Sequence, residues 1–216
     1  VDPPMREGNP ECRPGPMVAG WKLDQVLPEL TRRAVNWIGQ QRGTGQPFFL
    51  YFPWTSPHTP IVPTTEWQGR TAAGGFGDYM AQSDWTAGQV LAALDQHGFR
   101  ENTLVIFTAD NGPERYAYER TRVANHRSRG PLRGLKRDIW EGGHRVPFVV
   151  RWPGVVPAGA VSDELLSQID IFATIAEIVE FRLPETAADD SLSQLAVWRG
   201  AAGARTPAAD PDVAHL

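Results

Sequence analysis

The sequence is poor in cysteine and in long apolar runs. Its 216 residues include one cysteine, which excludes an internal disulfide framework and leaves the redox compartment open. No apolar stretch is long enough to span a membrane, and no signal peptide is recognisable. The chain begins with Val1 rather than Met, and we interpret this residue as an arbitrary cut or a processing point. Because no apolar stretch is long enough, we expect no membrane span.

An excess of positive charge is also lacking. The net charge of −4 argues against a general nucleic-acid-binding protein, so we expect no nucleic-acid partner. Basic side chains nevertheless cluster in residues 127–137, where five of eleven residues are Arg or Lys. Such a cluster suits an anionic ligand, but charge alone favours a solvated loop.

Helical and strand patterns alternate along the chain. The predicted helices are 27–41, 77–96 and 163–180, and the predicted strands are 47–53, 103–109 and 146–152. This order predicts an α/β fold with a mostly parallel sheet flanked by helices. Ligands of such sheets bind beyond the carboxyl ends of the strands, which points to the loop after 47–53 and the turn after 103–109.

The two ends of the chain are rich in small residues and proline. We expect residues 1–20 to form a loop that leads into the fold, because proline and glycine punctuate them. We expect residues 184–216 to form a poorly ordered or truncated tail. Residues 21–183 would then form the folded part of the chain.

Asp110 and Asn111 come directly after the strongest strand pattern, 103–109. Their side-chain oxygens are hard ligands of the kind that Ca²⁺ and Mg²⁺ prefer. The sequence Asp-Asn-Gly is also excellent turn chemistry, and the motif alone favours a turn. Because Ca²⁺ takes about 6–8 oxygen ligands, a metal site here needs further ligands from elsewhere.

Two cationic side chains lie on predicted loops. His58, on a proline-rich loop, could donate to an anion, act as a general acid or simply hydrogen-bond the loop backbone. Lys136 presents a compact charge that could hold an oxyanion and stabilise a leaving group. Arg137 and Asp138 beside it have the pattern of a surface ion pair. In Glu141-Gly-Gly-His-Arg145 the glycines are expected to allow close backbone approach.

A long polar loop is predicted between Asn111 and Lys136. This loop could bind an acidic sugar polymer, and a solvated loop without a ligand is an equally good interpretation. Its candidate side chains are Tyr116, Tyr118, Arg120, Arg122, His126 and Arg127.

Taken together, these segments resemble the sulfatase family of the alkaline-phosphatase-like superfamily. The matching pieces extend over residues 21–200 in the family's order, and the ordered set is far more specific than any one piece. They are 48–52 with 57–60, 102–112, 130–136, 141–147, 152–154 and 169–174. The resemblance implies an incomplete alkaline-phosphatase-like α/β fold, in which residues 21–183 form the C-terminal portion of the sulfatase catalytic domain.

The resemblance implies roles for four residues. Asp110 and Asn111 match the family's second pair of metal ligands, usually to Ca²⁺, with Mg²⁺ as the alternative cation. His58 and Lys136 match the histidine and lysine that hold the sulfate ester and assist departure of the alcohol. The implied reaction is hydrolysis of a sulfate monoester of a small molecule or a carbohydrate. By analogy, the protein would be periplasmic, secreted or lysosomal.

The sequence departs from the family at the nucleophile. The family uses a formylglycine made from Cys or Ser in a Cys-x-Pro-Ser-Arg motif. Cys12-Arg-Pro-Gly-Pro lacks the Ser and Arg and lies only 46 residues before His58, so we interpret Cys12 as an incidental thiol. The first pair of metal-binding Asp residues and a Gly-Lys-Trp-His type segment are missing too. We expect all of these upstream of Val1 and expect this fragment alone to be inactive.

Two alternatives stay open at this point. A phosphate or phosphonate ester hydrolase of the same superfamily would use the same half of the site, because sulfate and phosphate are both tetrahedral oxyanions. A noncatalytic glycan-binding or anion-binding pseudoenzyme would retain the scaffold without the nucleophile. The nucleophile motif would distinguish these interpretations.

Overall fold

The computed structural model describes residues 16–184 and 186–200. The chain divides into two compact units. One comprises the residues up to Arg100 together with Asn111–His144, and the other comprises Glu101–Asp110 together with the residues from Arg145 onward. The chain passes from one unit to the other three times, and one of these points lies between Asp110 and Asn111, the two adjacent residues that the sequence predicts as metal ligands.

The first unit is helical. Its helices are α1 (Val26–Gln41), α2 (Gly74–Gln96), α3 (Tyr116–Ala124) and α4 (Glu141–His144), with 3₁₀ turns at Leu23–Gln25 and Thr65–Trp67. The predicted helices 27–41 and 77–96 are confirmed, whereas α3 and α4 occupy a stretch that the sequence predicts to be a loop. A further 3₁₀ turn covers Arg100–Asn102.

Helices α1 and α2 pack against each other and against the chain that leads into α2. The hydroxyls of Thr31 and Thr86, both fully enclosed, are hydrogen-bonded at 3.0 Å between the two helices. A core cluster forms beside them from Leu27, Ile61, Val62, Phe76 and Tyr79. Because two members of this cluster belong to the 54–73 loop, burial of apolar surface anchors that loop to the helices.

Residues 47–53 do not form the predicted strand. The segment pairs with no other strand among residues 16–184 and 186–200. Phe48 packs edge-on against the rings of Trp37 and Phe99, but Phe49 and Tyr51 are exposed. The apolar run has the composition of a strand, yet a strand forms only where another strand supplies its hydrogen bonds.

The second unit contains the sheet. Its elements are β1 (Val105–Thr108), β2 (Phe148–Arg151), α5 (Asp170–Ile178) and α6 (Leu195–Trp198). The strands predicted at 103–109 and 146–152 are thus confirmed as β1 and β2. They pair antiparallel, with Val105 opposite Arg151 and Thr108 opposite Phe148. The described residues contain no parallel pair, so the predicted parallel arrangement is not present in this part of the chain.

Helix α5 begins later than the predicted helix 163–180, and it is held by polar bonds. Asp170 Oδ1 accepts the N–H of Leu192, and Thr174 Oγ1 accepts the N–H of Gln194, both at 2.9 Å. The apolar side chains of Phe172 and Val179 are exposed. The segment after α5 is therefore attached to the polar side of the helix.

The short helix α6 lies within the stretch that the sequence predicts to be a poorly ordered or truncated tail. Leu195 and Trp198 of α6 are buried, and the Trp198 ring lies 6.2 Å from that of Phe148. That residues 184–216 form a poorly ordered or truncated tail stays a prediction. Residues 1–15 and 201–216, and with them Cys12, lie outside the described residues. In the part that is described, no helix combines the length and the apolarity needed to cross a bilayer.

Candidate active site

His58 lies exposed on the loop that leads into α2. Its backbone N–H donates to the carbonyl of Thr55 at 2.9 Å, and its Nδ1 contacts the carbonyl of Thr59 at 2.6 Å. Because a carbonyl only accepts, Nδ1 carries the proton in this contact. No described residue hydrogen-bonds Nε2, so this nitrogen is the one available to a ligand.

Helix α2 holds the His58 loop through a row of buried polar side chains. The hydroxyls of Ser83 and Ser56 are 2.7 Å apart. Ser56 lies only two residues before His58. Buried polar groups of this kind are stable only when they are paired, so the row specifies one position for the loop. The other bonds run from the Thr64 N–H to Gln82 Oε1 and from the N–H groups of Gly69 and Thr71 to the Asp78 carboxylate, over 2.7–3.1 Å.

Lys136 is half-buried in the loop between α3 and α4. Its backbone N–H donates to the carbonyl of Pro113 at 2.9 Å. Among the residues that the structure describes, none forms a hydrogen bond or ion pair with its ammonium group. The backbone therefore holds Lys136 in place while its charge stays available for an anion.

The loop around Lys136 packs directly on the turn after Asn111. The Gly112 N–H donates to the carbonyl of Gly143 at 2.9 Å, and a Cβ on Gly112 would overlap the carbonyl oxygen of Gly142. A Cβ on Gly142 would in turn overlap the carbonyl of Gly134. We call Gly112, Gly134, Gly142 and Gly143 the glycine layer. The close backbone approach expected of the glycines after Glu141 is confirmed.

An ion pair beside Lys136 joins the same two segments, the Lys136 loop and the residues after Gly112. Arg137 donates to the Glu114 carboxylate from Nε at 2.9 Å and from Nη2 at 2.8 Å. Burial disfavours ionisation of Glu114, but the Arg115 N–H, the Arg137 guanidinium and the Lys136 charge outweigh it and lower the pKa of Glu114. The predicted pairing of Arg137 with Asp138 is wrong.

The Asp138 carboxylate takes a different partner. It accepts the N–H of Leu135 at 2.8 Å and so closes the turn that contains Lys136. Sequence neighbours on a turn point in different directions, and each side chain pairs with the group that the local backbone presents to it.

Asp110 and Asn111 are anchored separately, one in each unit. Asp110 follows β1 and is exposed, and the preceding carbonyl, that of Ala109, accepts a hydrogen bond from Gln168 Nε2. Asn111 Nδ2 donates to the Gly112 carbonyl at 3.1 Å, and its Oδ1 is an oxygen of the kind that hard cations bind.

The donor chemistry of this pair fits Ca²⁺ or Mg²⁺ in kind but not in number. Both residues offer hard oxygen atoms, but a Ca²⁺ ion takes about 6–8 of them. Residues 16–184 and 186–200 contain no group of three or more His, Cys, Asp or Glu side chains that could hold a metal ion. Asp110 and Asn111 therefore fit part of a ligand set.

The family model of the sulfatases matches residues 7–181. The chain belongs to the sulfatase family. It is 38% identical over 181 residues to N-acetylgalactosamine-6-O-sulfatase of Bacteroides thetaiotaomicron, which covers 81% of this chain and 34% of the relative. It is also 38% identical over 157 residues to steryl-sulfatase of Rattus norvegicus, with 72% and 27% covered. This sulfatase chain thus spans about a third of the length of the curated relatives it matches.

Solved structures confirm the α/β fold class of this sulfatase chain. A structure described under metabolism of multiple glycosaminoglycans by Bacteroides thetaiotaomicron matches with a TM-score of 0.75 and 37% identity. The match covers 83% of this chain and 38% of the solved chain. The fold is therefore part of an alkaline-phosphatase-like sulfatase domain.

One of the side chains that the sequence predicts to contact an acidic sugar polymer is buried. Arg120 of α3 is buried, with its guanidinium 3.6 Å above the centre of the Phe76 ring and its Nε donating to Ser128 Oγ at 3.1 Å. A buried guanidinium stacked in this way attaches α3 to the helical unit. In this sulfatase chain Arg120 is structural, whereas Tyr118, Arg122 and Arg127 of the same predicted loop are exposed.

Gly112→Ala tests the glycine layer. The new Cβ would overlap the Gly142 carbonyl, so the turn and the Lys136 loop must separate, and we expect a loss of about 1–3 kcal/mol in the free energy of unfolding. The matched control is Gly88→Ala, because a Cβ there meets no atom within 4 Å in the middle of α2. The control should gain up to about 1 kcal/mol from helix propensity. Urea unfolding followed by circular dichroism measures both, and an unchanged Gly112→Ala variant would contradict the account.

Glu114→Gln tests the ion pair beside Lys136 through its pH dependence. The folded chain lowers the pKa of Glu114 below its ordinary value of 4.5, so the carboxylate stabilises the fold fully above that value. The contribution is lost as pH falls through the lowered pKa. Between pH 7 and pH 3, the urea midpoint of the wild-type chain should therefore fall further than that of Glu114→Gln. Equal falls in the two proteins would show that Glu114 is not held by the pair.

Proposed function

We propose that the sulfatase domain to which this chain belongs hydrolyses a sulfate monoester, and that this chain supplies two cationic groups that hold the ester. One observation carries the proposal: a backbone bond to Pro113 holds Lys136 beside the glycine layer, and no described residue forms a hydrogen bond or ion pair with its ammonium group. Membership of the sulfatase family supports the choice of sulfate over phosphate.

The bound ester presents a tetrahedral group with one negative charge. Lys136 would attract this charge as a compact cation, and His58, when both of its ring nitrogens carry a proton, would donate a hydrogen bond from Nε2. The backbone of each residue is held before the ester arrives, that of Lys136 by its bond to Pro113 and that of the His58 loop by the buried polar side chains of α2. Little backbone entropy is then lost on binding, which favours both affinity and catalysis.

Cleavage breaks the bond between sulfur and the alcohol oxygen. The electron pair goes to the alcohol oxygen, where negative charge grows in the transition state. His58 in its protonated form would deliver the Nε2 proton to that oxygen, and the Lys136 charge would stabilise it. The net reaction consumes one water and releases the alcohol and hydrogen sulfate.

Asp110 and Asn111 would contribute two oxygen ligands to a divalent cation, Ca²⁺ or Mg²⁺. Such a cation, when bound, would withdraw negative charge from the sulfate oxygens. The family resemblance also implies a formylglycine, but the 216 residues contain no Cys-x-Pro-Ser-Arg motif. We therefore expect no turnover of an aryl sulfate by the 216-residue chain alone.

The substrate would be a sulfated carbohydrate or a sulfated small molecule, since the relatives named above include both an N-acetylgalactosamine sulfatase and a steryl-sulfatase. By the same analogy, the protein would act in the periplasm, outside the cell or in a lysosome.

Substitution of the two cationic residues tests the proposal in the sulfatase domain that contains this chain. Lys136→Ala and His58→Ala should each lower kcat for 4-nitrophenyl sulfate by about 10²–10³, because each removes a group that stabilises the leaving oxygen. Lys22 is the only other lysine of the chain, and Lys22→Ala is the matched control. It should keep its rate within about twofold.

Two outcomes would contradict the proposal. One is a Lys136→Ala variant that retains the wild-type rate. The other is wild-type hydrolysis of 4-nitrophenyl phosphate that exceeds hydrolysis of the sulfate, which would instead favour a phosphate ester hydrolase.

A further inference from the structure

The outer side of α3 displays basic and aromatic side chains that the proposed reaction does not use. Arg115, Tyr118 and Arg122 recur at positions i, i+3 and i+7, and all three are exposed. Ala117 and Arg120, on the other side, are buried. The spacing places the exposed three along one face of the helix.

The loop after α3 returns a further arginine to this face. The Arg129 guanidinium lies 5.7 Å from the centre of the Tyr118 ring, and its Nη1 donates to the Leu132 carbonyl. Tyr118 is 55% exposed, so an accessible ring lies between Arg122, one turn further along, and Arg129. We call Arg115, Tyr118, Arg122 and Arg129 the α3 basic stripe.

Positive charge is concentrated around this stripe. Residues 114–137 contain eight Arg or Lys and two Asp or Glu, in a chain whose net charge is −4. Of the two carboxylates, that of Glu114 is engaged by Arg137, and that of Glu119 lies 3.9 Å from Arg122. Two carboxylates cannot neutralise eight cationic side chains, so this stretch carries an excess of positive charge.

The stripe begins where the Lys136 segment is attached. Arg115 follows Glu114, which pairs with Arg137, and Pro113 accepts the hydrogen bond from the Lys136 N–H. From Arg115 to Arg122 the helix advances by about 10 Å at 1.5 Å per residue. The basic side chains of α3, which follow the segment bonded to Lys136, thus cover a distance longer than one sulfate group.

We propose that the α3 basic stripe binds a sulfated polysaccharide, through acidic sugar units that lie next to the sulfate ester held at Lys136. This proposal rests on the proposed function and specifies its substrate class. Guanidinium groups bind sulfate and carboxylate through paired N–H donors, and the exposed Tyr118 ring offers a flat surface to the C–H face of a sugar. A single apolar alcohol would find charge along this face instead of apolar surface.

Binding of a labelled polysaccharide to the 216-residue chain tests the proposal without any turnover. The probe is a fluorescein-labelled chondroitin sulfate oligosaccharide, measured by fluorescence anisotropy at fixed salt, with unsulfated dextran as the neutral comparison. Arg122→Ala with Arg129→Ala should raise the Kd by about tenfold or more, because two charge-assisted contacts are lost.

Arg32→Ala with Arg33→Ala is the matched control. It removes the same charge from exposed arginines of α1 that pair with Glu29, and its Kd should stay within about twofold of wild type. Circular dichroism establishes that each variant is folded. The single changes Arg122→Gln and Arg129→Gln test the same contacts if the double variant does not fold.

Three results would overturn the proposal. Equal weakening by the stripe and control variants would show an effect of net charge alone. Unchanged binding by the stripe variant would place the polysaccharide elsewhere. Binding of a single-stranded DNA of equal charge with the same affinity would show a general polyanion surface. Because this assay does not depend on hydrolysis, its failure is distinct from a failure to cleave 4-nitrophenyl sulfate.

Discussion

The backbone of Gly112 lies against the backbone of Gly142 with no room for a side chain between them, and the candidate site depends on this contact. On one side of it, the side-chain amide nitrogen of Asn111 donates to the Gly112 carbonyl. On the other side, Lys136 is bonded through its N–H to Pro113. Because a backbone group makes the attachment of Lys136, its side chain can serve a ligand.

Lys136 and His58 are positioned by different physical means within the same compact unit. Lys136 depends on close backbone packing, whereas His58 depends on buried polar bonds from α2, such as the Ser83–Ser56 pair. In both cases the groups that fix the residue are enclosed and the group that meets the ligand is exposed or half-buried. Such preorganisation is what an electrostatic site for an oxyanion requires.

The sequence predicts local elements well and long-range contacts poorly. Helix α1 and strand β1 follow from apolar periodicity and composition, and His58, Lys136, Asp110 and Asn111 are recognised from short motifs that resemble the sulfatases. Their roles stay predictions. The contact of the Asn111 turn with the Lys136 loop cannot be derived from spacing, because it depends on glycines far apart in the chain.

Two elements are predicted wrongly, for different reasons. Residues 47–53 have the apolar composition of a strand, but a hydrogen-bonding partner for that strand is not among the described residues. Helix α3 was missed because its buried side includes an arginine, Arg120, stacked on Phe76.

Direct observation of sulfate at Lys136 tests the central claim most simply. The chain has two lysines, Lys22 and Lys136, so labelling with ¹³C-lysine yields two Cε signals in an NMR spectrum. Titration with inorganic sulfate should shift the Lys136 signal along a saturating curve and leave that of Lys22 unchanged, while chloride at equal ionic strength should shift neither. Equal, non-saturating shifts of both lysines, or no shift of Lys136, would contradict the assignment of Lys136 to a sulfate site.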